Sequence, residues 1–547
     1  MFSSAPPRRS GVAWIEPGRR RRRGRGGLPG ARILVLLVLV AAAGGAVWFV
    51  VHERQAKDTR RDAAQRFVAA WARRDAGAMW SAVDARSRQR YPRDRFVRLY
   101  RSADRAATVN AVAVGRVPDP RDDRVAVPVT VRTREFGTLR GTVQIPAHDE
   151  GDGASVAWAP HLRLPGLRPG EQVRRRVLSR PQRAAVLGAD GRRLGDDPAT
   201  AAIAGRAPSG DDRGSGLERF YDERLGGRPG VELRFGSRTV AKVSARRGRS
   251  VRATIRPGLQ RAAVAALGGR LGGVAVVRPR DGSVLALAGL AVSAPQPPGS
   301  TFKIITLAGA LQAGIAKPSS SYPVRTFATL SGVKLRNAGN EACGGSLVHS
   351  FAESCNSVFA PLGARLGGPR LVRTAEAFGF NDRPRLPDAK PSTIPRASDL
   401  DDSLAVGASA IGQDRDLATP LGMAVVGATI AAGGRRARPR IVGSEPVVRH
   451  RAVSARVAAL VRDMMVGVVR SGTGTAAAVP GVQVAGKTGT AELRPNSRDP
   501  KDADAWFVAF APARDPQVAV AVMLVGAGFG GTAAAPIARR VLQSALQ

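Results

Sequence analysis

Cofactor chemistry has little to stand on in this chain. Of its 547 residues only two are cysteine and five are histidine. The histidines, His52, His148, His161, His349 and His450, fall at no metal-ligand spacing, and no glycine-rich phosphate loop occurs. No metal and no nucleotide or haem cofactor is expected. Aromatic residues make up only 5%. Acidic residues are outnumbered, 43 Asp and Glu against 85 Lys and Arg, for a net charge of +42. That charge alone would fit nucleic acid, but no nucleic-acid-binding motif accompanies it, so nucleic acid is not expected as a partner. The more economical partner is an anionic envelope surface, lipid headgroups or wall polymer.

What is present begins with an apolar run from Ile33 to Val51, preceded by the basic block Arg19–Arg25. Its length approaches the roughly 20 residues that cross a bilayer as a helix. The positive-inside rule places the N-terminus in the cytoplasm and everything after His52 outside. A single-pass anchor over 32–52 in the cell membrane is expected, after a disordered basic tail over 1–31. A cleaved signal peptide is the competing reading, since Ala41 to Ala46 offers small residues. Outside the membrane Cys343 and Cys355 can oxidise, tying the segment around Cys355 to the loop before it; two free thiols are the other reading.

The remaining chain reads as α+β. Helical periodicity covers Asp58–Asp84 and a basic stretch near Arg93–Ala106; strand-like runs follow at 108–117, 124–134, 139–145 and 155–162. Breaks at Leu164-Pro165-Gly166 and Pro169-Gly170 lead to a strand ending in the turn Asp190-Gly191, then a helix closed by glycines over 214–230. A new unit opens at Arg256-Pro257. It is expected to hold a helix at 258–267, a hairpin of 273–278 with 284–288, a helix from Gly299-Ser300 to Ala313, a hairpin of 506–510 with 518–524, and a closing helix at 533–546. The architecture expected is an antiparallel sheet flanked by helices, with an all-helical subdomain between.

Three short motifs lie in this last unit, in order: Ser300-Thr301-Phe302-Lys303, Ser354-Cys355-Asn356 and Lys487-Thr488-Gly489. Each is weak alone; together they point to serine acyl transfer on D-alanyl peptides or β-lactams. A serine hydroxyl needs a base to become a nucleophile. On a helix Ser300 and Lys303 share a face, and Lys303 can serve once burial and a second cation, Lys487, favour its neutral form. The backbone N–H of Ser300 and that of Thr490 are the candidate oxyanion donors. Ser354 can pass a proton, and Asn356 offers a donor and an acceptor to a substrate peptide bond; Ser and Asn also suit a helix N-cap. Lys487 and Thr488 suit a substrate carboxylate, and Gly489 leaves an edge strand open for pairing.

With these residues placed, the region from about Arg256 to Gln547 resembles the transpeptidase domain of penicillin-binding proteins. Pro298–Lys303, Ala410-Ile411-Gly412-Gln413 with Thr419-Pro420-Leu421, Gly472–Ala476 and Trp506-Phe507 carry the likeness. Segments 187–191 and 214–230 resemble the dimerisation region of monofunctional, class B members, implying a unit over 164–255. The stretch over 57–163, ending in Trp158-Ala159-Pro160-His161, is similar to the NTF2-like domain of low-affinity, β-lactam-resistant types. The resemblance implies a peptidoglycan D,D-transpeptidase with catalytic Ser300, Lys303, Ser354 and Lys487, and with Asn356, Thr488, Gly489 and Thr490 at the substrate. It implies stem peptides as substrate, β-lactams as inhibitors, and a membrane glycan polymerase with division or elongation proteins as partners. The loop from Gly289 to Pro298 is shorter than the family often carries. A D,D-carboxypeptidase, a serine β-lactamase using Glu353, Glu376 or Glu445, and a non-catalytic wall scaffold are the alternatives.

Overall fold

The structure is a computed structural model that describes residues 29–151, 153–494, 499 and 502–547, with side chains from residue 44 onward. The expected basic tail therefore lies almost wholly outside the described residues. Among the described residues no helix is long and apolar enough to cross a membrane. The side chains of the first part of the apolar run, residues 33–43, also lie outside them.

The chain divides into two compact units, one formed by residues up to 178 with 230–244, the other by 179–229 with 245–547. In the first, helix Pro29–Ala72 is followed by short helices Ala76–Ser81 and Ala85–Arg90, then by Arg93–Ala107. The single helix expected over 58–84 is thus broken. Arg74 takes a positive φ of 58°, and Asp75 and then Asp84 each restart the helix by accepting a backbone N–H three residues on. Strands Val109–Val114, Arg124–Thr133, Thr138–Glu150 and Gly153–Val156 form an antiparallel meander in sequence order. Alternate residues Val125, Val127, Val129 and Val131 share one core with Phe67, Trp71, Phe96 and Tyr100 of the helices. A three-stranded sheet (Val173–Ser179, Gly230–Phe235, Arg238–Val243) adds Val231, Leu233 and Phe235 to that core.

The second unit is built on five antiparallel strands: β1 (Gly272–Val277), β2 (Val284–Gly289), β3 (Ala485–Glu492), β4 (Ala503–Ala511) and β5 (Val518–Leu524), in the order β2-β1-β5-β4-β3. Both sheet faces are covered, which is why β5 is apolar at every position. Ala519, Ala521 and Met523 enter one core with the buried helix Pro420–Ala431; Val518, Val520, Val522 and Leu524 enter another with helices Pro257–Leu267 and Ala535–Leu546. Strand β3, which carries Lys487-Thr488-Gly489, lies at the sheet edge. Against it lies a 3₁₀ turn, Gly299–Phe302, which runs on into helix α1, Lys303–Gln312.

The second motif sits between helices α2 (Leu347–Ala352) and α3 (Asn356–Leu366). This region is not all-helical as expected. A hairpin of Phe327–Leu330 with Val333–Arg336, and a strand pair Ser321–Arg325 with Cys343–Ser346, precede α2. The segment expected as one helix over 214–230 is two short ones, Gly216–Phe220 and Asp222–Gly226.

Asp416, between the helix Ser403–Ala410 and the helix Pro420–Ala431, is wholly buried. One carboxylate oxygen accepts from Ser409 at 3.1 Å and the other has no partner. Burial holds this carboxyl well above the usual carboxylate range. An acid whose folded pKa is raised stabilises the fold below its unfolded value, and that contribution is lost as pH rises toward the folded value. Asp416→Asn is therefore expected to flatten the decline of the melting temperature with rising pH above about 4, where the wild type loses up to about 1.4 kcal/mol per unit; thermal unfolding across pH measures it.

Candidate active site

The nucleophile's turn is held from two sides. Gly299 has φ +51°, and a Cβ there would lie 2.6 Å from the Thr490 carbonyl oxygen. Its N–H donates to Gly412 O at 2.9 Å, and Thr301 Oγ donates to Pro298 O at 2.6 Å. Thr306 of α1 donates to Ala410 O at 2.6 Å. The stretch Ala410–Gly412, singled out in sequence only by resemblance, is thus the backing of the serine turn. Since the Thr490 carbonyl faces Gly299 and a strand residue points its N–H and C=O to one side, the Thr490 N–H faces the same turn. Gly489 is glycine for packing. A Cβ would come within 2.9 Å of Pro298 O and Thr301 Cγ2, so its bare face is filled by the serine turn.

Both lysines are fully buried and converge on Ser354. Lys487 Nζ donates to Ser354 Oγ at 2.9 Å and to Thr488 O at 3.1 Å. Lys303 Nζ donates to Ser354 Oγ at 3.3 Å, Ser354 O at 2.6 Å and Asn356 Oδ1 at 2.6 Å. Ser354 holds both in reach through a left-handed backbone, φ +65°, which costs a non-glycine residue roughly 1–2 kcal/mol. It does not cap α3; Cys355 takes the N-cap position and makes no side-chain cap bond. Cys355 pairs with Cys343 in a disulfide, so the oxidised reading holds. Phe359 lies under Lys303 and Phe351 under Lys487, with 5.7 and 5.6 Å from nitrogen to ring centre.

These surroundings disfavour charge. Burial, and then the nearby Lys487, push Lys303 well below the ordinary lysine value. Burial brings Lys487 down to about 7 against the opposing pull of Glu353. A lysine made neutral at ordinary pH is a competent base. Ser300 is half-buried, and Lys303 gives its three hydrogen bonds to Ser354 and Asn356 rather than to it. The direct Ser300–Lys303 bond expected from helical spacing is therefore not formed, because the better acceptors lie on α3's side. Asn356 is also committed: its Oδ1 serves Lys303 and its Nδ2 donates to Arg336 O at 2.7 Å.

Two further residues had no role in the sequence reading, Thr473 entering it only within the likeness over Gly472–Ala476 and Asn337 not at all. Thr473 shares a 2.6 Å hydroxyl pair with Thr488 and donates to Ala352 O, linking the third motif to the second. Asn337 is buried against the N-terminus of α3. Of the glutamates weighed for deacylation, Glu376 accepts from Asn381 and Glu445 from Tyr221, away from the lysines. Glu353 alone adjoins Ser354. Among the described residues no group of metal-ligating side chains gathers.

A family model, the penicillin-binding protein transpeptidase domain, matches residues 272–543. The peptidoglycan D,D-transpeptidase PbpA of Mycolicibacterium smegmatis is 38% identical over 404 residues, covering 61% of this chain and 80% of that protein. The M. tuberculosis PbpA is 39% identical over 291 residues, 58% of its length. Among solved structures, penicillin-binding protein A from M. tuberculosis in its imipenem acyl-enzyme complex is 31% identical with a TM-score of 0.58, covering 67% of this chain and 99% of that one. A D,D-transpeptidase domain from Eggerthella lenta gives 30% and 0.59, with 67% and 99% covered. The chain belongs to the penicillin-binding protein transpeptidase family, among the class B members that include PbpA.

Removing the second cation tests the electrostatics. Lys487→Ala lets the Lys303 value climb back, so the acid limb of acylation by a penicillin should move to higher pH. The rate near neutrality should fall by about two orders of magnitude, the span general-base catalysis covers. Stopped-flow acylation across pH reads both.

Proposed function

We infer that the chain is a peptidoglycan D,D-transpeptidase acylated by β-lactams. The observation that carries this reading is the convergence of Lys303 and Lys487 on one hydroxyl, Ser354 Oγ, at 3.3 and 2.9 Å. The relatives named D,D-transpeptidases support it. In this reading Ser300 Oγ attacks the penultimate D-Ala carbonyl of a stem peptide and its proton passes to neutral Lys303. The backbone N–H groups of Ser300 and Thr490 hold the oxyanion. The C–N bond breaks, Ser354 relays the proton to the departing D-Ala amine, and an amine of a neighbouring stem takes the acyl group. Lys487 and Thr488, with Thr473 behind Thr488, meet the substrate carboxylate. Asn356 contacts the substrate once its amide is released from Arg336.

The domain plan extends the proposal: an anchor over 32–52, an NTF2-like unit over 57–163, a dimerisation-type region over 164–255 and the catalytic domain over 256–547. Exposed Trp48 and Phe49, at 66% and 62%, suit an interfacial position at the end of the anchor. The catalytic unit then lies outside the cell membrane, where a glycan polymerase and division or elongation proteins are the partners, and low β-lactam affinity would confer resistance.

Intact-mass measurement after incubation with a penicillin is expected to give a stable one-drug adduct that Ser300→Ala abolishes. Unchanged drug without adduct would instead indicate a scaffold, and hydrolysed drug without adduct a lactamase.

A further inference from the structure

Helix α3 begins beside both lysines, yet nothing in its own sequence caps it. The N-cap position holds Cys355, which makes no side-chain bond. The missing acceptor comes from Asn337, 20 residues upstream, whose Oδ1 accepts the Ser357 N–H at 2.8 Å. That is the bond an N-cap side chain ordinarily makes. Asn337 is only 6% exposed. Its Nδ2 donates to Arg325 O and to Glu341 O, both at 2.8 Å, and its own N–H to Thr326 O. Every polar atom of its amide is used. The result is a fixed bend at the end of the hairpin strand Val333–Arg336, which sets the Arg336 carbonyl against Asn356 Nδ2 at 2.7 Å.

This contact has a chemical consequence. A side-chain amide has one donor end and one acceptor end. With Nδ2 held by the Arg336 carbonyl, Asn356 must present Oδ1 to Lys303, as it does at 2.6 Å. Released, the amide can turn over and offer hydrogens to an ammonium. We propose that Asn337 is a positioning residue for Lys303, acting through the Arg336 carbonyl and the orientation of Asn356. The proposal rests on Lys303 being the base of an acyl-serine enzyme. Asn337 touches neither substrate nor the reacting atoms.

The other charges at the site are Lys487, which acts on Lys303, and Glu353, which acts on Lys487; neither is among Asn337's partners. An oxygen accepting from an ammonium favours the charged form, so its loss lowers the lysine value further. In the full-length chain, Asn337→Ala should move the acid limb of penicillin acylation to lower pH by about half a unit or more. Its plateau should fall roughly tenfold to a hundredfold, because the base is no longer fixed. The Cys343–Cys355 disulfide still ties the same two segments together, so the variant is expected to fold. An unmoved limb, with or without a slower plateau, assigns Asn337 to simple scaffolding and overturns the proposal. If the alanine variant does not fold, Asn337→Leu decides. It fills a similar volume without adding a charge and loses both Nδ2 donors, so it should show the same limb shift; a wild-type limb there overturns the proposal. Wild-type protein that never acylates would defeat the acyl-serine reading itself, a separate outcome.

Discussion

Two ammonium groups cannot share one dry hydroxyl and both keep their charge, and the catalytic unit is arranged around that constraint. Lys303 and Lys487 come from different elements, a helix and an edge strand, and both are sealed from water at Ser354. Each donates to backbone carbonyls and lies over a phenylalanine ring, so neither is stranded when charged. Yet burial and mutual repulsion make the neutral state cheap. The fold's task is to hold this unfavourable arrangement against relaxation. The all-buried sheet does so from one side and the helices behind α1 from the other.

Rigidity is spent where motifs meet. Gly299 fits under Thr490, Gly489 under Pro298, and Ser354 sits in a backbone region that serine enters at a cost. Strain of this kind persists only when the surroundings over-determine it. Here the surroundings include the Thr473–Thr488 hydroxyl pair, the disulfide and the bend at Asn337. The second motif is thereby tied down by three segments remote from it in sequence.

The three motifs, the hairpin of β1 with β2, the serine helix, β5 and the closing helix were all legible in the sequence, because periodicity and glycine placement are local signals. The hairpin Phe327–Arg336 was not. Its strands are four residues each and largely exposed, so no alternation of buried positions marks them. Helix Pro420–Ala431 is apolar on nearly every side and therefore has no amphipathic stripe to read. Asn337 was invisible for a different reason: it caps a helix that starts 19 residues later, and capping rules look only at the neighbouring residue. The break at Arg74 hid inside an unbroken helical pattern, although Asp75 and Asp84 were there as caps.

The central strand order also governs when the enzyme can come into being. Strand β1 opens the catalytic unit and pairs with β5 near its end, Val274 opposite Val522. The edge strand carrying Lys487 attaches only through β4 to that same late strand. Until β5 is available, the sheet has no partner for β1 on that side and no place for the third motif. Long-range pairing of this sort is slow. Ser300 precedes in the chain the strand that carries Lys487 and the strand that anchors it, so a nascent chain that stops short of β5 cannot assemble the groups that make the serine reactive.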